Sequence, residues 1–379
     1  MTVEAASALD IPITVLSERE DDAAAKVASQ VLIGTPIDPG QLWALAARCE
    51  VVTFDHELVD LDVLTALETS GVRVRPSVKA LRTSVDKSFM RNLFTEAGIP
   101  VPAFQVLGDP ASSSTAQEIE DFATNRGWPV ILKSIRGGYD GRGVWVASDL
   151  DEAVGVCQRS ARNGANLIVE EQVRLEAELA VLVARSPNGE VQVWRPVTTT
   201  QVGGVCRETL MAGTMDRELT ESACDLARRI AELIDVVGVL AVEMFWSGAS
   251  LLVNEVATRP HNTGHWTIEG SVTSQFENHL RAILDLPLGR TDATADHVAT
   301  VNIFGSDDWF EPALGLADAL AVPGAHVHLY GKASRPGRKL GHVTVCGTDV
   351  DDVRNRAWAS ARALGTPVPD AIKIANNPL

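Results

Sequence analysis

Three absences bound this chain before any motif is read. It has no uncharged apolar stretch of membrane-spanning length, which excludes a helical membrane protein. Its start, MTVEAASALDIPITVL, also lacks the basic segment and apolar run of a leader. The five cysteines, Cys49, Cys157, Cys206, Cys224 and Cys346, stand singly, with no CxxC pair and an odd total. That spacing argues against a zinc knuckle or a disulfide frame and points to a reducing compartment. Basic residues are in deficit: Lys+Arg 33 against Asp+Glu 50 leaves a net charge of −17. Such a surface repels polyphosphate backbones and anionic membranes, while a local basic pocket can still take a small anion. A cytoplasmic protein with no nucleic-acid or membrane partner is expected.

What is present suggests several packed units, since 379 residues with 45% hydrophobic content exceed one core. IPITVL (11–16), VLIG (31–34) and EVVTF (50–54) alternate with helix-like stretches such as PGQLWALAARCE, the pattern of a small parallel α/β unit over roughly the first 80 residues. A helix over 3–10 opens the chain, where an open sheet of this type would have a strand and a Gly-rich turn first. SVDKSFMRNLFTEAGIP (84–100) reads as a helix capped by Ser84 and closed by Gly98. PVILKS and VWVA (strands around a glycine-rich loop), NLIVEEQV, ELAVLVAR and VQVWRPV predict a middle region rich in antiparallel hairpins. A helix near 216–236, the strand pair VLAVEMFW and LLVNEV, and a final strand-rich part after 286 complete the pattern.

Four segments carry chemistry. GGYDGRG (137–143) lies between strands, so it is neither a Walker loop nor a dinucleotide fingerprint. As a glycine-rich hairpin it can fold backbone N–H groups over phosphates, with Lys133 supplying a point charge. VEMFW and LLVNEV read as two arms turning through SGAS. A three-residue loop, Gly248-Ala249-Ser250, sets Glu243 opposite Glu255 with Cβ atoms about 5 Å apart, whereas a one-residue shift makes Asn254 the partner. Two facing carboxylates call for a cation, and oxygen-only donors favour Mg²⁺ or Mn²⁺. In NEVATRPHNTGHW (254–266), His261 and His265 have helical zinc spacing, but Pro260 and Gly264 break any helix. Arg259 is the stronger candidate, as an anion ligand. KASRPGRKLGH (332–342) gathers Lys332, Arg335, Arg338 and Lys339 on a turn that is as well suited to a phosphate as to solvent.

These segments, LKSIRGGYDGRGVW, LIVEEQV with Glu178 beyond it, VEMFW, NEVATRPHNTGHWTIEGSVTSQFENHLRAILDLPLG and YGKASRPGRKLGH, closely resemble the N5-carboxyaminoimidazole ribonucleotide synthase family of ATP-grasp enzymes over essentially the whole chain. The resemblance implies an α/β and α+β architecture: an N-terminal parallel α/β domain (1–82) without its usual first strand, an ATP-grasp domain (83–285) with a glycine-rich lid (about 105–174), and a small β-rich C-terminal domain (286–379). It implies carboxylation of aminoimidazole ribonucleotide by bicarbonate and ATP, through carboxyphosphate, in a homodimer. Lys87 and Lys133 would contact ATP phosphates under the loop Gly138, Tyr139, Asp140, Gly141, Arg142, Gly143 and Val144. Glu170, Glu171, Gln172 and Val173 would lie along the adenine, and Glu178 would hold the ribose. Glu243 and Glu255 would bind Mg²⁺ with Asn254 beside them, and Arg259 would stabilise the phosphoryl group in flight. Glu57, Tyr139, Asp140, Lys332, Arg338 and Lys339 would form the ribonucleotide pocket.

The sequence departs from that family at two places. Relatives carry a strand and a GGGQL-type loop before the first helix, and a Glu, Asn or His where this chain reads VTTTQVGGVCRE (197–208). These departures leave open a paralogous ligase acting on a different amine. A non-catalytic nucleotide-binding relative is the weakest alternative, because Lys133, Glu243, Glu255 and Arg259 are all present.

Overall fold

Strand-like runs separated by helical stretches close on themselves when each helix returns the chain to a parallel neighbour. The computed structural model describes residues 1–138, 143–370 and 372. In it, α1 (Thr2–Ala8), β1 (Thr14–Ser17), β2 (Gln30–Ile33), α2 (Pro39–Ala46), β3 (Val51–Val52), α3 (Leu61–Thr69), β4 (Arg73–Val74) and α4 (Val78–Val85) follow in order. The pairing is parallel, as expected, but forms two separate ladders, β1 with β2 and β3 with β4. Val52, Leu64, Leu67, Val74 and Leu81 make the core of this unit. α1 packs instead through Ala6 onto Leu280 and Ile283, far along the chain.

The helix expected over 84–100 begins later than Ser84. Ser84 lies inside α4 and donates to the Leu81 carbonyl. The chain then breaks at Asp86, whose carboxylate accepts from the Phe89 N–H at 2.9 Å and caps α5 (Lys87–Glu96). Lys87 is thereby the first residue of a helix rather than part of its body. Gly98, at φ +67°, ends the segment as the sequence predicts.

A four-stranded antiparallel sheet in the order β5-β8-β6-β7 follows. It is built from β5 (Phe104–Val106), β6 (Val130–Ser134), β7 (Val144–Ala147) and β8 (Leu167–Glu171), and is covered by α6 (Ser113–Arg126) and α7 (Leu150–Arg162). Ile119, Leu132, Val156 and Val169 are buried between sheet and helices. β6 and β7 are the arms of the glycine-rich hairpin. Tyr139, Asp140, Gly141 and Arg142 at its tip lie outside the described residues.

The remaining strands join one nine-stranded sheet: β9 (Ala177–Arg185), β10 (Val191–Val193), β11 (Val197–Val202), β12 (Val205–Ala212), β13 (Gly238–Trp246), β14 (Leu251–Ala257), β15 (His297–Phe304), β16 (Ala325–Leu329) and β17 (Lys339–Gly347). Its order is β14-β13-β9-β11-β12-β15-β17-β16, with β10 also on β9. VQVWRPV is thus two strands rather than one. Pro196 has no N–H for a ladder, and Trp194 turns inward to donate to Ser271 and to the Thr273 carbonyl, both at 3.1 Å. LAVLVA, the middle of ELAVLVAR, is apolar throughout because both its faces are covered. Leu179, Val181 and Val183 pack toward α5 and α8 (Arg217–Leu233), whereas Ala180, Leu182 and Ala184 pack against a second core containing Trp194 and Trp266. Two short helices, α9 (Thr267–Gly270) and α10 (Gln275–Ile283), follow β14. α11 (Leu316–Leu320) and α12 (Val350–Ala363) cover Val301, Ile303, Val343 and Val345 at the other end.

Candidate functional site

The β13–β14 hairpin sets the geometry. Trp246 pairs with Leu251, so the turn holds four residues, Ser247 to Ser250, not three. Carried straight down, that register would leave Glu243 opposite Asn254. A β-bulge between Glu243 and Met244 intervenes: Met244 pairs with Val253 and Glu243 with Glu255, leaving Asn254 as the extra residue. The two carboxylates therefore face each other, through a bulge rather than through the loop length.

Their electrostatics differ. Burial, then the nearby carboxylates of Glu255 and Glu178, push the Glu243 carboxyl up to about 8. Lys87, whose Nζ lies 3.0 Å from Glu255 Oε2, holds the Glu255 carboxyl down to about 2. Burial also raises Glu178 to about 7. Lys339 bears electrostatically on Glu243 and His261, so the start of β17 reaches the same place. The His261 ring is held neutral by burial, with Nε2 3.7 Å from Glu243 Oε1.

Behind this pair lies a buried ionic group. Lys133, in β6, donates to Asn254 Oδ1 at 2.9 Å and lies 2.7 Å from Glu170 Oε2. Glu170, in β8, accepts from Arg91 Nε at 2.8 Å through its other oxygen. Arg91, in α5, also donates to the Val253 carbonyl at 3.1 Å, in the strand that carries Asn254 and Glu255. Burial works to raise the Glu170 carboxyl, but Lys133 and Arg91 outweigh it and hold it to about 2. Arg91 is the residue that sequence reasoning missed. Its signal was spacing: Lys87, Arg91 and Phe94 share one face of α5, an odd place for an arginine beside a fully buried Phe94.

Arg259, just past β14, sends Nε to Glu57 Oε2 at 2.7 Å and Nη1 to the Pro260 carbonyl. This ties the N-terminal unit to the hairpin across 202 residues of sequence. Gly143 accepts from the Ser134 N–H at 2.8 Å at the base of the glycine-rich hairpin, with Val144 next to it in sequence and Gly138 close to it in space. Other expected residues have local partners. The Glu171 carboxylate accepts from the Ala103 N–H at 2.8 Å, Gln172 is exposed, and Val173 is partly buried. Lys332 lies over the Tyr330 ring at 5.6 Å, and Arg338 donates to Ala333 in its own turn. An open cleft of about 920 Å³ between the end of α5 and α6 is lined by residues such as Pro100, Phe104 and Arg126, and none of the carboxylates or lysines above borders it.

Comparisons agree along the chain. Family models match residues 1–84 (ribonucleotide synthetase preATP-grasp domain), 92–276 (ATP-grasp domain) and 299–356 (phosphoribosylaminoimidazole carboxylase C-terminal domain). The N5-carboxyaminoimidazole ribonucleotide synthase of Mycobacterium tuberculosis is 43% identical over 371 residues, 96% of this chain and 85% of that one. The crystal structure of the Thermus thermophilus synthetase superposes with a TM-score of 0.85 at 34% identity, covering 97% of this chain and 96% of the other. The Aspergillus clavatus synthase, solved with ADP and 5-aminoimidazole ribonucleotide, gives 0.86 at 30%, covering 96% and 95%.

Proposed function

The chain belongs to the N5-carboxyaminoimidazole ribonucleotide synthase family of ATP-grasp ligases, and on that premise we propose how its side chains divide the ATP-dependent carboxylation of aminoimidazole ribonucleotide in purine biosynthesis. The observation that carries this division is Glu243 facing Glu255, with Lys87 on one carboxylate and Lys133 behind. One carboxyl of the pair is driven toward its neutral form while the amide oxygen of Asn254 lies between them in sequence. That all-oxygen set fits a hard divalent cation. Glu243 and Glu255 would hold Mg²⁺ or Mn²⁺, which when bound supplies charge neutralisation for the phosphates.

Lys87 and Lys133 receive the phosphates of ATP, and the glycine-rich hairpin from Gly138 to Val144 covers them. The backbone at the end of β8 and just beyond it, at Glu170, Glu171, Gln172 and Val173, lines the adenine, and Glu178 holds the ribose. We assign the Glu170 carboxylate to positioning Lys133, because both its oxygens are engaged by buried cations. A bicarbonate oxygen bonds to the γ-phosphorus as the bond to ADP breaks, giving carboxyphosphate. Arg259 offsets the charge that gathers on the phosphoryl oxygens. The exocyclic amine then bonds to the carboxyl carbon, phosphate leaves, and the nitrogen gives up a proton. Glu57, Tyr139, Asp140, Lys332, Arg338 and Lys339 hold the ribonucleotide. Water must be kept from so labile an intermediate, a task that suits a closing hairpin.

We assign these roles to an N-terminal domain over 1–82, an ATP-grasp domain over 83–285 with its lid at about 105–174, and a C-terminal domain over 286–379, working as a cytoplasmic homodimer. Among the described residues no helix is long and apolar enough to cross a membrane.

ADP release with and without bicarbonate and aminoimidazole ribonucleotide tests the substrate assignment. Release stimulated by both, with a carbamate product, is expected. Bicarbonate-dependent release indifferent to the ribonucleotide would transfer the assignment to another amine. Arg259→Met should lower kcat on the order of 10²–10³-fold, the scale for losing one charge-stabilising donor, with little change in KM for ATP. A change confined to KM would move Arg259 from the transition state to ground-state binding.

A further inference from the structure

His265, like His261, is a histidine of NEVATRPHNTGHW that the roles above leave unused. Gln275, fully buried at the start of α10, explains its state. The Gln275 Oε1 accepts from the His261 backbone N–H at 2.8 Å, and its Nε2 donates to the His261 carbonyl at 2.8 Å. A backbone N–H cannot accept and a carbonyl cannot donate, so the amide has one possible orientation. Its second N–H lies 3.2 Å from His265 Nδ1. That nitrogen must accept, and the proton of the neutral ring is therefore on Nε2.

The ring is also held on its faces. Phe276 stacks at 5.7 Å and His342 at 4.7 Å, while Tyr330 meets it edge-on at 6.3 Å. His342 is fixed in turn by Tyr330 Oη at 2.8 Å and by His328 stacked at 4.5 Å, itself 2.7 Å from Glu269. Stacked imidazoles present faces and not N–H edges to one another, so the column cannot relay a proton along itself. It can hold a ring still. Among the described residues, His265 Nε2 has no hydrogen-bond partner, although the residue is only 8% exposed. Unlike His342 Nε2, which is sealed and unpartnered, that nitrogen is within reach of solvent, so its N–H is open to a ligand oxygen. Burial keeps the ring neutral, and Lys339, at the start of β17, bears on it electrostatically.

We propose that His265 is a substrate-binding residue: a neutral imidazole, locked as its Nε2–H tautomer by Gln275, that donates to an anionic oxygen of a substrate. The oxygen comes either from bicarbonate or from the phosphate of the ribonucleotide. The proposal rests on the assignment of Lys339 to the substrate pocket. A neutral donor fits the task because it orients an oxyanion without adding a charge that would bind ground state and transition state alike.

Three measurements test it. In protein carrying ¹⁵N-histidine, the nitrogen shifts should show His265 protonated at Nε2 and bare at Nδ1. In Gln275→Glu, which cannot donate, the proton should move to Nδ1 or the ring should become charged. This result does not depend on the identity of the amine, so it separates failure of the proposal from failure of the substrate assignment. His265→Asn, which leaves no donor at the ε position, should raise one Michaelis constant roughly tenfold or more, whereas His265→Gln, which keeps a donor near that position, should recover most of the loss. A rise in KM for bicarbonate identifies the carbonate oxygen, and a rise in KM for the ribonucleotide identifies its phosphate. The proposal is overturned by a wild-type ring protonated at Nδ1, by unchanged Michaelis constants in His265→Asn, or by equal losses in both His265 variants.

Discussion

Glu170→Ala should cost about 3–5 kcal/mol of stability in the part of the molecule that joins α5 to the four-stranded sheet. It removes the one anion between two buried cations. Arg91 is 0% exposed and Lys133 7%, and each lies within 2.8 Å of a different Glu170 oxygen. Breaking such a group from one side leaves charge without compensation, which is far worse than never having buried it. Hydrogen exchange in α5, β6 and β8 measures the effect, and exchange unchanged there would show that the group contributes nothing. The linkage with pH has a definite sign. The Glu170 carboxyl sits at about 2 in the folded protein against an ordinary 4.5. Its contribution is therefore complete above about 4.5 and is lost as pH falls toward about 2. Glu170→Gln, which keeps the volume without the charge, should lack this acid-dependent portion. In the same variant Lys133 loses the partner that opposes burial's pull on its ammonium. Its kcat/KM for ATP should then decline with rising pH where the wild type does not.

Glu255→Gln should abolish turnover, by on the order of 10³-fold or more, while leaving the fold intact. The side chain keeps its size and its place in β14, but an amide cannot neutralise a divalent cation or pair with the Lys87 ammonium. Two readouts separate this from simple disruption. Mn²⁺ binding, followed by electron paramagnetic resonance in the presence of ATP, should be lost. The thermal transition should move little, because the Lys87–Glu255 contact is partly open to solvent, where ion pairs contribute at most about 1 kcal/mol. Retained Mn²⁺ affinity together with retained turnover would sink the metal assignment.

Much of this site was legible in one dimension because its chemistry is concentrated in short segments. NEVATRP carries a carboxylate and an arginine within six residues, and GGYDGRG announces a hairpin through composition. Local punctuation was less reliable. Ser84 is as good a cap by type as Asp86, but it lies inside α4, and the Phe89 N–H goes to the Asp86 carboxylate. VQVWRPV looks continuous, yet Trp194 has long-range partners at Ser271 and Thr273 that pull it out of line.

The Glu243–Glu255 pairing marks the division most clearly. Sequence by itself determined that two carboxylates lie on adjoining arms of a hairpin within one residue of each other in register. It also determined that Glu243 is set among apolar neighbours. Which of Asn254 and Glu255 faces Glu243 was decided only by the tertiary structure. A four-residue turn alone would have chosen Asn254, and the bulge at Glu243/Met244 reversed that choice. A bulge sets two residues of one strand against one of its partner and re-aims their side chains, and here β13 is held between β14 and β9 with cores on either side. The same applies to Glu170 and His265. Their residue types were visible at once, but what each does depends on Arg91 and on His342, about 80 positions distant in each case, and only the folded chain brings those partners within reach.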